Sequence, residues 1–178
     1  MFIWGGVDPG QQGAIAFIDE YGGASVRDVP TLSVGKKGKR AYDLGAMADI
    51  FRGDVIVKDL IIGLELVHAM PKQGVASMWS MGYGTGVWEG ILAALQIPYQ
   101  KITPQRWKGL LLDGLPKEKG SSIVVAKRLF PKLQAFTRKR DHNRSDALLI
   151  AEYLRRTYRP GQTVTCQLTP SWSLEALD

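Results

Sequence analysis

Apolar, β-forming residues run from Phe2 to Val7, again from Gly13 to Ile18, and a third time from Ser25 to Val29. Asp-Pro-Gly-Gln-Gln-Gly and Asp-Glu-Tyr-Gly-Gly separate them, and turn formers at that spacing predict three short strands folded into an antiparallel meander. The period then changes. Between Tyr42 and Phe51 the apolar residues Leu44, Met47, Ala48 and Phe51 fall at helical spacing, whereas Leu60 to Leu66 is apolar without alternation and predicts a buried strand in parallel pairing. Val75 to Leu95 is expected to be mostly helical and Tyr99 to Ile102 a strand. Thr103-Pro104 is a good cap and first-turn pair for a short helix through Leu112. Helices over Ser121–Phe130 and Asn143–Tyr158 complete the series. Gly82, Gly86 and Gly90 recur every fourth residue and strip one face of the long helix of side chains, at about 1 kcal/mol of propensity each. Such a stripe suits close approach of another helix or of a phosphate chain.

A meander followed by alternating β and α is an α/β layer architecture: a mixed five-stranded sheet flanked by helices, the order of elements that a ribonuclease H-like fold uses. It occupies residues 1–158, and the polar, aperiodic stretch 159–178 is expected to be a loosely ordered tail. With 178 residues, 45% apolar and 22% charged, the chain has the makings of one folded domain and is neither a disordered linker nor a disulfide mini-protein. The single cysteine, Cys166, asks for no oxidising compartment. No apolar run approaches the roughly 20 residues that span a bilayer, and the start lacks a basic leader region. The expectation is therefore no membrane and a cytoplasmic location.

The net charge of +6 points to polyanionic partners, and its placement sharpens the point. Residues 101–140 carry 11 basic and 2 acidic side chains, against 8 and 10 in residues 1–100 and 4 and 5 in residues 141–178. Within that block Arg106-Trp107-Lys108 interleaves charge with an aromatic ring, and Lys117 and Lys119 follow closely. Lys108 and Lys117 are candidates to stabilise charge on a phosphate, and Trp107 either stacks on an exposed base or packs its own helix. A smaller cluster, Lys36, Lys37, Lys39 and Arg40, lies between glycines and reads as a mobile basic loop.

Three carboxylates sit where a purely structural protein has little use for them. Asp8 and Glu65 stand at the C-terminal edges of core strands. Asp146 shares a helix face with Leu149, Ile150 and Tyr153. Each has a bland reading as turn former, salt-bridged strand end or helix-start acid. Together they come from the first strand, the fourth strand and the last helix. Buried acids need cations, and an all-oxygen donor set favours Mg²⁺ or Mn²⁺ over zinc.

Val7-Asp8-Pro9-Gly10 with Gly13-Ala-Ile-Ala-Phe, then Leu64-Glu65, then Arg144-Ser-Asp146-Ala-Leu-Leu-Ile-Ala, resembles the RuvC family of Holliday junction resolvases, in a form like those of phages and prophages. The resemblance spans residues 2 to about 157. It implies a ribonuclease H-like homodimer with two Mg²⁺ ions, active in a bacterial or phage-infected cytoplasm, that makes paired symmetric nicks across four-way DNA. Asp8, Glu65 and Asp146 match three of the family's four catalytic acids. The fourth is commonly an Asp, in some members a His, three residues before the last Asp, and here that position is Asn143. Asp141 is the only carboxylate nearby and is the expected metal ligand or supporting acid, with His142 handling water and Asn143 capping the helix. Where cellular members carry an aromatic wedge after the strand acid, this chain has His68, with Met70 close by. The rival readings are another nuclease or transposase of this fold acting on branched DNA, a junction-binding protein without turnover, and an actin-like phosphotransferase. The last needs two such domains, so no nucleotide cofactor is expected.

Overall fold

The computed structural model describes residues 1–35, 38–52, 59–67, 74–116, 118, 120–138 and 141–161. Strands β1 (Ile3–Asp8), β2 (Ala14–Asp19) and β3 (Ala24–Asp28) form the expected meander, and β6 (Leu60–Glu65) and β7 (Tyr99–Ile102) add to it in parallel. The five-stranded mixed sheet runs β3-β2-β1-β6-β7. Its two central strands, β1 and β6, are covered on both faces, which is why Leu60 to Leu64 reads as an unbroken apolar run. On one face lie α1 (Leu44–Asp49) and α2 (Val75–Ala94), packed through Met47, Phe51, Trp88 and Leu92. On the other lie α3 (Pro104–Leu111), α4 (Ser121–Leu129) and α5 (His142–Thr157), packed through Trp107, Val125, Ala147, Leu149 and Ile150.

Of the basic cluster expected as a loop, Lys39 and Arg40 belong to a ribbon. Thr31–Val34 (β4) pairs antiparallel with Lys39–Tyr42 (β5), so Lys39 and Arg40 are strand residues. Gly35 and Gly38, at φ 71° and 61°, supply the left-handed conformations that the connection needs. Tyr42 therefore belongs to a strand, and α1 starts at Leu44 behind an Asp43 side chain that accepts from the Ala46 N–H at 3.0 Å.

One further expectation changes. Helix α5 begins at His142, placing Asn143 inside its first turn, where its Nδ2 donates to the Gln12 carbonyl at 2.6 Å, and Asp141 occupies the cap position. Trp88 is fully buried in the core, whereas Trp79 is 75% exposed. Lys36, Lys37, His68, Met70, Lys117, Lys119 and the chain from residue 162 lie outside the described residues. Among the described residues no helix is long and apolar enough to cross a membrane.

Candidate active site

Parallel pairing of β1 and β6, with Val7 opposite Leu64, brings the next residues, Asp8 and Glu65, to one edge of the sheet. Helix α5 crosses the same strand: a Cβ built on Gly6 would lie 2.1 Å from the Ala147 carbonyl oxygen. Absence of a side chain at Gly6 lets the helix backbone lie on the sheet, and Asp146, one residue before Ala147, comes down beside Asp8.

The three acids feel one another. Burial pushes the Asp8 carboxyl up to about 7, and the negative charges of Glu65 and Asp146 add to the shift. Glu65 is raised by burial and by Asp146, and Asp146 is raised by burial. The cation facing all three is Lys108, which pulls each of them down. Among the described residues it is the only member of the predicted basic set that acts on all three acids. Arg106, two residues earlier on α3, is exposed.

Hydrogen bonds hold all three acids: Asp8 Oδ1 accepts from the Gly10 main-chain N–H at 3.4 Å. The indole N–H of Trp107 donates to Glu65 Oε1 at 3.0 Å, and the Ser122 hydroxyl bonds to Asp146. Ser122 in turn accepts from the Ser145 hydroxyl at 2.9 Å in a buried pair. Trp107 is 0% exposed, so it does not stack on DNA bases. Its amphipathic helix turns the ring inward, and the interleaving of Arg106, Trp107 and Lys108 reflects two faces of α3. Sequence reasoning missed Ser122, because a serine early in a helix carries no signal of what it touches.

Asp141 is engaged elsewhere. Its Oδ2 accepts from the main-chain N–H groups of Thr137 and Arg138 at 2.9 and 2.7 Å, and its Oδ1 accepts from the Arg138 guanidinium at 2.9 and 2.7 Å. Burial works to raise its carboxyl, but the Arg138 bonds outweigh it and hold the group below the usual carboxylate range. The side chain pins the loop entering α5, and the expected role as metal ligand is not the one that the structure gives it. His142 does reach the site. With Asp146, Ser122 and Lys108 it lines an open cavity of about 720 Å³ walled on the far side by Leu112 and Pro116.

The donor set fits a hard divalent cation. It is all oxygen, and the burial that raises all three acids, with the repulsion that adds to it at Asp8 and Glu65, is offset by positive charge placed among them. Among the described residues no three acidic or metal-ligating side chains already converge as a finished ion site.

The β4–β5 ribbon is tied to this edge. Tyr42 Oη donates to the Pro9 carbonyl at 3.0 Å and Gln11 Nε2 donates to the Arg40 carbonyl at 3.2 Å, so the ribbon's base rests on the turn after Asp8. Lys39 and Arg40 are both exposed there.

No family model matches the chain. Over 91 residues it is 33% identical to the chloroplastic Holliday junction resolvase MOC1 of Chlamydomonas reinhardtii, a match covering 51% of this chain and 10% of that one. The chain thus spans about a tenth of that relative's length. Its structure is similar to Thermus thermophilus RuvC, with a TM-score of 0.51 at 12% identity, covering 88% of this chain and 96% of the other. T. thermophilus RuvC in complex with Holliday junction substrate superposes with a TM-score of 0.55 at 9% identity, covering 89% and 97%. At such identities the likeness establishes the fold, which is the ribonuclease H-like fold of RuvC.

Proposed function

We propose that the chain is a divalent-metal-dependent endonuclease that resolves four-way DNA junctions by paired symmetric nicks. The observation that carries the proposal is the convergence of three partly buried acids, Asp8, Glu65 and Asp146, at one edge of a RuvC-like sheet, where β1 and β6 pair in parallel and α5 lies against Gly6. The 33% identity to a junction resolvase favours branched DNA as the substrate.

Asp8, Glu65 and Asp146 hold the ions. When bound, two Mg²⁺ ions, or Mn²⁺ in their place, activate the attacking water and stabilise the leaving oxygen. Lys108 balances the acids, and its ammonium, at the edge of the same site, would pair with the scissile phosphate. His142, at the cavity wall beside Asp146, positions the attacking water or accepts its proton. The cavity admits the DNA strand between α3 and the start of α5. This chemistry belongs in a bacterial cytoplasm or that of a phage-infected cell.

A synthetic four-way junction incubated with the protein and Mg²⁺ is expected to yield symmetric nicks on opposite strands. Equal cutting of flaps and linear duplex would favour a general nuclease of this fold. Tight junction binding without nicking in Mn²⁺ would favour a non-catalytic binder.

The ribbon beside Asp8 is a second place for phosphate contacts. Neutralising Lys39 and Arg40 to Gln is expected to weaken junction binding at low salt and reduce the slope of log affinity against log salt by about 2. A slope equal to that of the wild type would show that these two cations do not touch DNA.

Paired nicks across a two-fold junction require two active sites, so the working species is a homodimer. Helix α2 offers the contact. Val75, Trp79 and Tyr83 are 78%, 75% and 47% exposed, and Cβ atoms built on Gly82, Gly86 and Gly90 meet nothing within 4 Å. All six fall on one side of the helix, opposite the buried Trp88 and Leu92. Gly82→Ala with Gly86→Ala is expected to raise the propensity of α2 by about 1 kcal/mol per site while separating the subunits by filling the contact. Light scattering checks this: the wild type should be dimeric and the double variant monomeric with a fold at least as stable. A monomeric wild type, with and without DNA, would rule out the dimer.

A further inference from the structure

Three tryptophans of the core are buried, and they differ in what their N–H groups do. The indole nitrogens of Trp4 and Trp88 have no hydrogen-bond partner, so dense packing in this protein accepts an unpaired indole. Trp107, equally buried, spends its N–H on Glu65, a residue 42 positions away in sequence. Its ring face carries a second load, because Lys108 Nζ sits 5.0 Å from the ring centroid. One side chain therefore braces an acid of the cluster by its edge and the cation that balances the cluster by its face.

We infer that Trp107 is a positioning residue of the active site, its indole N–H fixing the Glu65 carboxylate in the orientation that binds the divalent cation. This rests on the proposed metal site. A carboxylate at a sheet edge turns freely about its last bond, and repulsion from Asp8 and Asp146 drives it away from them. Anchoring Oε1 at 3.0 Å removes that rotation and leaves Oε2 free to ligate. The ring is rigid and fully packed, so the donor itself cannot follow the acid outward.

The test separates the N–H from the ring. Replacing Trp107 with 3-benzothienylalanine, which keeps the shape and face but lacks the donor, is compared with Trp107→Phe and with the wild type. Mn²⁺ binding is measured by calorimetry on the full chain without DNA, alongside thermal unfolding in EDTA and junction affinity in Ca²⁺. The benzothienyl protein should melt like the wild type and bind the junction equally well, while its Mn²⁺ affinity falls by about tenfold, the usual scale for an outer partner of a metal ligand. Trp107→Phe should lose at least as much. Mn²⁺ affinity unchanged in the benzothienyl protein would overturn the inference and leave Trp107 as packing. A wild type that takes up no Mn²⁺, with Glu65→Gln indistinguishable from it, would instead remove the metal site and this inference with it.

Discussion

Asp8→Asn, Glu65→Gln and Asp146→Asn are each expected to slow nicking by about a thousandfold or more while junction binding persists. The reasoning is electrostatic. Each substitution keeps the shape of a partly buried side chain and removes one negative charge from a cluster whose members are all raised by burial, Asp8 and Glu65 also by a neighbouring acid. Cation affinity falls because a ligand charge is gone. The metal-free fold, by contrast, should gain. The Asp8 carboxyl stands at about 7 in the native state against 3.8 as its ordinary value, so between those pH values the native protein holds a proton that the unfolded chain releases. Its contribution to stability is therefore fully present below the lower value and lost as the pH rises through the higher. At pH 8 in EDTA the charged Asp8 costs the fold stability, and Asp8→Asn should raise Tm by several degrees. Below pH 3.8, where the carboxyl is neutral in both the native and the unfolded chain, the same change should leave Tm nearly unaltered. Saturating Mg²⁺ should reverse the order at pH 8 by stabilising only the wild type. An Asp8→Asn protein that melts below the wild type at pH 8 in EDTA would contradict this placement of the charge. One that nicks at a near-normal rate would remove Asp8 from the site.

Elements whose burial is dictated by their own residues were legible in the sequence. β1, β2 and β6 announce themselves because strands covered on both faces have little choice but apolar residues, and α5 shows its inner face through Leu149 and Ile150 spaced from Asp146. The acids at the ends of those elements were legible for the same reason: charge is conspicuous where everything around it is apolar. The ribbon was not. β4 and β5 are four residues each, with Leu32 and Val34 left exposed, so a period-two pattern has too few buried positions to register.

Roles fixed by a partner were the harder part of the site. Asp141 was a plausible ligand by charge and position, yet what it does depends on Arg138 folding back over it and on two free N–H groups of the preceding loop. Trp107 sits among cations in sequence, yet its ring is buried in the core while Arg106 is exposed, because adjacent positions on a helix are 100° apart. The glycines of α2 show a similar split. Gly84 is pressed against the Tyr42 hydroxyl and the Pro9 carbonyl, and Gly82 and Gly86, two positions to either side, face open space. Composition treats all three alike.

Gly6→Ala is expected to be among the most damaging single substitutions in the chain. The added methyl would lie 2.1 Å from the Ala147 carbonyl oxygen and 2.4 Å from the Ala151 nitrogen, and both are backbone atoms. A clash with a flexible side chain is relieved by a rotamer change. Here nothing can move but the helix itself, and trimming any neighbouring side chain frees no space. Displacing α5 would open the apolar layer formed by Ala14, Ala16, Ala147, Leu148 and Ala151, so the cost should reach about 3 kcal/mol or more. Gly45→Ala, in a short helix where only Asp43 Oδ1 comes as near as 3.7 Å, is the control and should stay within about 1 kcal/mol of the wild type. Urea unfolding measures both. A Gly6→Ala protein as stable as the control would mean that β1 and α5 are farther apart than described. The same spacing governs the chemistry, since Gly6 lies two residues before Asp8 and its contact Ala147 lies one residue after Asp146. Any Gly6→Ala molecules that still fold must carry α5 farther from the sheet and Asp146 farther from Asp8. They should therefore lose Mn²⁺ affinity although every acid is still present, which ties the reach of the active site to a position that has no side chain.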